Sequence, residues 1–285
     1  MERKHFLERL EHEIDYHREY LKLEAFCNEI RPGAGRYDSI NEFIDQFFWQ
    51  WEDRYTFSSF SELREHMGFA TETKRGMKYY PLATEMDMNG YLSFCEMILT
   101  IISALEEKMD SSLLEVKNAM IKTMRAVVEN AGFEFKRVGR EVQVVEKNAV
   151  AIEVADKVPE LADVIIEYNH YLLKGDIDKK KIILKQIADA LEPKRITLKN
   201  LQNRNTEDFF QLVNEMNIRH NNVDPLGKRY NAKFSLLSPE EQEKWYDLLY
   251  EQALGLYVVL AQQERNKMID TYKQEIKLEP APSEN

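Results

Sequence analysis

Apolar side chains recur every three or four positions through most of this 285-residue chain, which is the spacing of amphipathic helices. The pattern predicts helices over residues 2–30, 40–51, 90–109, 112–130, 161–173, 178–191, 206–220 and 239–277. Serine is followed three positions later by glutamate at four predicted helix starts, namely Ser39, Ser59, Ser112 and Ser238. This is the capping box, in which the two side chains satisfy the first N–H groups of a helix.

The period of the pattern changes from helical to two between Phe133 and Glu146, with Gly139 and Arg140 between the two alternating runs. This is the signal of a β-hairpin. The predicted fold class is therefore mostly α, a multi-helix bundle with a single β-hairpin near the middle of the chain. The basic residues Lys136 and Arg137 allow the alternative of a DNA-binding wing, but the preceding helical segments are too long for a compact winged helix.

Breaks in the pattern divide the chain into four parts. They are an N-terminal helical region (1–110), a helix-plus-hairpin connector (111–148), a C-terminal helical bundle (149–278) and a disordered tail (279–285). With only 10 glycines and 8 prolines, the composition favours long helices over a turn-rich β protein.

The net charge of −11 argues against a protein that coats nucleic acid, because neutralising phosphates requires surplus Lys and Arg. Residues 174–204 differ, since nine basic and four acidic residues give this segment a net charge of +5. A local basic surface of this kind would suit RNA or a nucleotide. The alternative is an ordinary solvated helix face.

Two cysteines, Cys27 and Cys95, lie far apart without metal-ligand spacing, which suits a reducing cytosol. There is no apolar signal core and no run of about 18 apolar residues. We therefore predict a cytoplasmic protein with no membrane partner. Because no glycine-rich phosphate loop, nucleophile elbow or zinc motif is present, we predict no cofactor.

The densest polar chemistry lies at the end of the helix predicted over 206–220. A helical wheel places His220 and Asn217 on its apolar side, with Arg219 and Asn221 at the two edges and Asn222 just beyond. A wheel on 161–173 places Asn169 within the apolar arc, and Glu167 and His170 together on the polar side. A buried polar group without a partner costs about 1–3 kcal/mol, so we expect the two segments to form one polar cluster.

Two interpretations of this cluster stay open. In the functional one, Arg219 binds a phosphate, and His220 acts as acid or base near neutral pH. The ligand-binding residues are then Glu167, Asn169, His170, Asn217, Asn221 and Asn222. In the structural one, the same side chains cap helix ends and hold the following loop. No metal site is predicted, because a di-iron bundle needs a second Glu-x-x-His pair beside Glu167 and His170.

The Arg219 and His220 pair at a helix end, together with the polar cluster on an earlier helix, resembles the HEPN superfamily over about residues 150–275. That superfamily comprises all-α domains of bacterial toxins and abortive-infection proteins, many of them metal-independent ribonucleases. Its motif separates the arginine and histidine by several positions, whereas they are adjacent here. The resemblance implies a bacterial defence protein that binds RNA or a nucleotide and cleaves it through Arg219 and His220.

The alternative function is a non-catalytic protein–protein interaction module, such as an adaptor or an antitoxin-like partner. In this interpretation the Asn/His cluster is structural, and the acidic surface of the chain is the feature that binds another protein. The sequence allows a homodimer and leaves the ligand and trigger undetermined.

Overall fold

A computed structural model describes residues 14–29, 39–69, 83 and 85–278 of the chain. The fold is mostly α-helical with one two-stranded antiparallel hairpin near the middle, which confirms the predicted fold class. The chain divides into two compact units, Met1–Lys147 and Asn148–Asn285. The predicted connector lies within the first unit except for its last residue, and the tail predicted over 279–285 lies outside the described residues.

The first unit contains the hairpin and the helices that pack around it. Its elements are α1 (Tyr16–Cys27), α2 (Ile40–Phe47), α3 (Phe60–His66), α4 (Met88–Leu105), α5 (Ser111–Asn130), β1 (Phe133–Val138) and β2 (Glu141–Glu146). Helix α4 supplies much of the core, because eleven of its residues are buried. The segment formed by α4 and the 3₁₀ turn that follows it is long enough to cross a membrane, and an 18-residue window within it has a mean hydropathy of 1.4, but 61% of that window is buried inside the protein.

The hairpin has the predicted strands and turn. Val138 pairs with Glu141 across Gly139 and Arg140, and Phe135 pairs with Val144. Gly139 has a φ of +57°, a conformation that glycine adopts without steric cost. The strand β2 is anchored to α4, since the Thr100 hydroxyl accepts a hydrogen bond of 2.9 Å from the Val142 N–H.

Within the described part of the second unit, all the regular elements are helices. Its elements are α6 (Ala149–Lys157), α7 (Ala162–Tyr168), α8 (Ile177–Leu191), α9 (Arg195–Glu215), α10 (Ala232–Ser235) and α11 (Pro239–Leu278). The core forms where the first half of α11 packs against α6, α8 and α9. Seven residues of α11 are buried there, namely Tyr246, Leu249, Tyr250, Ala253, Leu254, Leu256 and Tyr257.

At three of the four predicted capping boxes, the serine side chain caps the helix as predicted. The hydroxyls of Ser39, Ser59 and Ser238 accept hydrogen bonds from the N–H groups three residues later. The prediction at Ser112 is wrong, because Asp110 caps α5 and accepts bonds from two N–H groups in its first turn. A carboxylate at this position also interacts favourably with the helix dipole.

Candidate functional site

The helix that carries the polar stretch ends five residues earlier than predicted. Helix α9 begins at Arg195, kinks at Gln202 and stops at Glu215, so the helical wheel drawn to His220 is wrong beyond that point. The chain reverses because Asn217 adopts a φ of +59°, a left-handed conformation that asparagine tolerates better than most residues. The pattern of apolar residues hid this stop because Ile218 is also buried.

The carbonyl groups at the end of α9 are capped from outside the helix. The Asn231 amide donates to the Glu215 carbonyl oxygen at 3.1 Å, and the Tyr246 hydroxyl donates to the Met216 carbonyl oxygen at 3.1 Å. The last carbonyls of a helix have no partner within it. These side chains therefore fix where α9 ends against α11 and the loop before α10.

The loop that follows α9 is organised around Asn222, which is 2% exposed. Its side-chain oxygen accepts from the Asn217 N–H at 2.9 Å, and its side-chain nitrogen donates to the Arg229 carbonyl oxygen at 2.7 Å. Its own carbonyl accepts from the Asn231 N–H at 2.8 Å. The side-chain amide thus holds the two ends of the loop together.

Arg219 lies on the side of α8 and is bound by acidic residues of the same unit. Its guanidinium contacts Glu192, donates to Asp189 at 3.1 Å and donates to the Ala188 carbonyl oxygen at 2.8 Å. Burial would raise the pKa of Glu192, but Arg219 and Arg195 outweigh it and lower that pKa. The phosphate-binding role predicted for Arg219 would require this guanidinium to leave three protein acceptors.

His220 is half-buried beside the loop, and Asn221 is exposed. Burial lowers the pKa of the His220 imidazole, and the charges of Arg229 and Arg219 lower it further. The imidazole is therefore neutral at pH 7 and able to accept a proton. The Asn217 amide, in the orientation that satisfies both its ends, accepts from Lys181 Nζ at 3.1 Å and donates to the His220 carbonyl at 3.2 Å.

The earlier predicted half of the cluster has its own partners. Helix α7 ends at Tyr168, and Asn169 is buried, where it donates to the Ile165 carbonyl oxygen at 2.7 Å and to the Tyr250 hydroxyl. Glu167 pairs with Lys179 at 3.0 Å, and His170 Nδ1 accepts from the Leu172 N–H at 3.3 Å. Asn169 contacts a side chain of α11, whereas Asn217 and Arg219 contact side chains of α8.

A charged network that sequence reasoning missed lies between α7, α8 and α11. Lys180 is 7% exposed, and its ammonium lies 2.7 Å from carboxylate oxygens of both Glu243 and Asp247. The Tyr168 hydroxyl also donates to Asp247, at 2.9 Å. Burial would lower the pKa of Lys180, but the two carboxylates outweigh it and raise that pKa. Lys180 could have been found from its position on the apolar side of α8.

These contacts also account for much of the basic segment 174–204. Five of its nine basic residues form ion pairs with acidic side chains of the second unit, namely Lys179, Lys180, Arg195, Lys199 and Arg204. Acidic side chains of α7, α9 and α11 therefore offset much of the net charge of +5. A shallow open groove of about 590 Å³ does occur at the start of α8, lined by Lys174, Gly175, Asp176, Ile177, Asp178 and Gln242. Because its charged residues are of both signs, the groove does not select for an anionic ligand.

The second half of α11 has a different character. Four large apolar side chains on it are exposed: Met268 by 73%, Ile269 by 50%, Tyr272 by 65% and Ile276 by 53%. At 3.6 residues per turn they fall within about 100° around the helix axis, so they form one stripe. We call these four residues the α11 stripe.

The first unit contains its own buried charge pair. Arg64 contacts Glu24, and their side chains are 0% and 2% exposed. The guanidinium also lies 5.5 Å from the ring centre of Phe60 and 5.7 Å from that of Phe94. The enclosure by aromatic rings indicates a structural pair rather than a ligand site.

Across the residues that the structure describes, no group of three or more His, Cys, Asp or Glu side chains is placed to hold a metal ion. Comparison of the chain with protein-family models, with curated proteins and with solved structures found no match. The function is therefore inferred from the arrangement of the residues themselves.

Proposed function

We propose that this protein is a non-catalytic protein–protein interaction module that binds its partner through the α11 stripe. The observation that carries the proposal is the exposure of Met268, Ile269, Tyr272 and Ile276 on one side of a helix. Contiguous exposed apolar surface of this kind marks interaction sites in soluble proteins. An amphipathic helix that presents its apolar face is also a recurring element of recognition.

The stripe is aligned with the face of α11 that forms the core. Tyr250 and Leu254 are buried, and each precedes a stripe residue, Met268 and Tyr272, by 18 positions, which is about five full turns. The apolar surface therefore continues along the helix past the point where the chain itself covers it. A face that is apolar but uncovered favours a partner that completes the packing.

In contrast to the stripe, the residues of the polar cluster make contacts that support a structural role for the cluster. Asn222 closes the loop, Asn217 ends α9, and Arg219 is held by Asp189, Glu192 and a backbone carbonyl. A catalytic or ligand-binding pair would need donors directed at an accessible site. The hydrogen bonds of these three residues are instead directed at the protein.

Binding of labelled amphipathic helical peptides to the full chain tests the proposal. Fluorescence anisotropy should show saturable binding of at least one peptide from a set with neutral, acidic and basic polar faces. The Met268→Gln/Tyr272→Gln variant should lose that binding by tenfold or more while keeping the wild-type melting temperature, because both side chains are exposed. Leu248→Gln, an equally exposed leucine elsewhere on α11, is the matched control. Equal binding by the stripe variant would refute the proposal.

A second candidate function rests on His220. A neutral imidazole beside Arg229 and Arg219 has the protonation state of a general base at pH 7. Together with the HEPN resemblance, this supports a defence protein that binds or cleaves RNA. The two functions are separated by incubating single-stranded RNA with the wild type and with His220→Gln. Cleavage that is lost in the folded variant would establish the second function, and an absence of cleavage in both would remove it.

A further inference from the structure

The charges around the α11 stripe indicate which kind of partner it binds. The inference drawn from them rests on the proposed function. Residues 261–276 carry three acidic residues (Glu264, Asp270, Glu275) and three basic ones (Arg265, Lys267, Lys273), so the segment is neutral in a chain of net charge −11. A neutral surface can meet an identical copy without the repulsion that the rest of this acidic chain would produce. We propose that the α11 stripe binds the α11 stripe of a second copy of this chain.

The direction of the pairing follows from Arg265. On the helical wheel Arg265 lies inside the arc of the stripe, between Tyr272 and Ile276. In a parallel, in-register pair the two-fold axis runs along the helices, so Arg265 of one copy would face Arg265 of the other. Two like charges in a partly desolvated interface are destabilising. Parallel pairing is therefore disfavoured.

Antiparallel pairing removes this conflict and places a carboxylate of the second copy opposite each arginine, which already donates a hydrogen bond to Gln262 of its own helix at 2.8 Å. When the two-fold axis crosses the helices at the level of Asp270, Met268 lies opposite Tyr272 of the second copy. In the same register, Arg265 lies opposite Glu275 of the second copy. Symmetry forms each contact twice, as in any isologous interface. Glu264 already pairs with Lys267 on its own helix at 2.8 Å, so its charge is offset at the edge of the interface.

The size of the stripe sets the strength of the complex. The exposed segment is about 24 Å long at 1.5 Å per residue, with four large apolar side chains on each copy. This is at the small end of specific interfaces, where complexes are weak and concentration-dependent. We expect a monomer–dimer equilibrium of the full chain rather than a permanent dimer.

Sedimentation of the full chain over a wide concentration range tests self-association. The wild type should shift from monomer to dimer, Met268→Gln/Tyr272→Gln should remain monomeric, and Leu248→Gln should behave like the wild type. A wild type that stays monomeric at every concentration overturns the second copy as partner. In that event, stripe-dependent binding of a peptide would leave the proposed function standing, and its absence would refute both.

Charge reversal tests the antiparallel register. Arg265→Glu should weaken dimerisation by tenfold or more, because it places Glu beside Glu275 of the second copy. Adding Glu275→Arg to the same chain should restore it. Failure of the double variant to dimerise better than Arg265→Glu overturns the register.

Disulfide trapping gives an independent measure of the direction. Cys27 and Cys95 are fully buried, so a thiol introduced on α11 is the reactive one. Mixing Met268→Cys with Tyr272→Cys under mild oxidation should form the mixed disulfide several times faster than either variant forms its own dimer. Faster cross-linking of both Met268→Cys and Tyr272→Cys to themselves would establish parallel pairing and overturn the inference.

Discussion

Each unit of the protein buries a cation, but the two cations are enclosed differently. In the first unit, the side chains of Arg64 and Glu24 are both withdrawn from water, and the guanidinium lies near the aromatic rings of Phe60 and Phe94. In the second unit, Lys180 is 8% exposed at its side chain, whereas one of its two carboxylates, Asp247, is 48% exposed. The side chains of the first pair are too enclosed for water to replace a lost contact. The second has a route by which water can replace a lost contact.

The difference matters because the cost of breaking an ion pair depends on what remains buried afterwards. Removing one member of the first pair leaves an uncompensated charge in the core. Removing Lys180 leaves carboxylates that can be hydrated. The following changes test this comparison from the largest expected effect to the smallest.

Arg64→Leu should be the most destabilising of these changes, lowering the free energy of unfolding by about 3–5 kcal/mol, because Glu24 stays buried without its cation. Urea denaturation followed by circular dichroism measures the loss. The double variant Arg64→Leu/Glu24→Leu is the control, and it should be more stable than Arg64→Leu. A double variant that is less stable would show that packing of the guanidinium, rather than charge pairing, dominates.

Lys180→Met should lower the free energy of unfolding by about 1.5–3 kcal/mol, the range for hydrogen bonds to charged groups. The same unfolding assay measures it. Lys179→Met removes a neighbouring lysine whose pair with Glu167 is about half exposed, and it should cost less than about 1 kcal/mol. Equal losses from the two variants would contradict the importance of burial at Lys180.

The Lys180 network should also make stability depend on pH. Burial would raise the pKa of Glu243, but the Gly175 N–H and Lys180 outweigh it and lower that pKa. Its contribution is therefore present above the ordinary glutamate pKa of about 4.3 and is lost as pH falls through the lower folded-state value. Lys180 has a raised pKa, so its contribution is present below about 10.4 and is lost as pH rises through the higher folded-state value.

We therefore expect the stability difference between the wild type and Lys180→Met to be largest between about pH 5 and 10. Unfolding at pH 7, 4 and 3 should show the difference shrinking as Glu243 takes up a proton. A difference that stays constant down to pH 3 would show that the lysine stabilises through packing of its alkyl chain.

Of the three cations compared, Arg219 should have the smallest effect when changed to Gln, about 0.5–1 kcal/mol, because its partners Asp189 and Glu192 are 55% and 42% exposed. Arg204→Gln, in an exposed pair with Asp208, is the control and should be neutral. A loss as large as that of Lys180→Met would show that the end of α9 depends on Arg219 more than its exposure indicates.

The fold class was predictable because the apolar spacing is helical over long segments and two-residue only in the hairpin. The starts at Ser39, Ser59 and Ser238 were also predictable, since capping is a local interaction. The start of α5 was not, because Asp110 and Ser112 are both good caps and only the structure shows that Asp110 is used.

The candidate site was harder to predict because its partners are distant in sequence. A wheel on α8 places Lys180 on the apolar side, but only the packing of α11 supplies Glu243 and Asp247. The stop at Glu215 depends on Asn217, Asn231 and Tyr246, which converge from three segments. The polar residues of the stretch form the hydrogen bonds that order the loop after α9, but their orientation could not follow from a wheel that assumed the helix continued.

The unbroken course of α11 from the core to the stripe has a consequence for how its length can vary. Each residue inserted or deleted between Tyr257 and Met268 would rotate the stripe by about 100° relative to the core. A single insertion would therefore turn a polar face toward the partner, whereas seven added residues would restore the orientation to within about 20°. Between these two points, exposed positions outside the arc of the stripe should tolerate substitution, whereas changes of length should be tolerated only in steps of two turns.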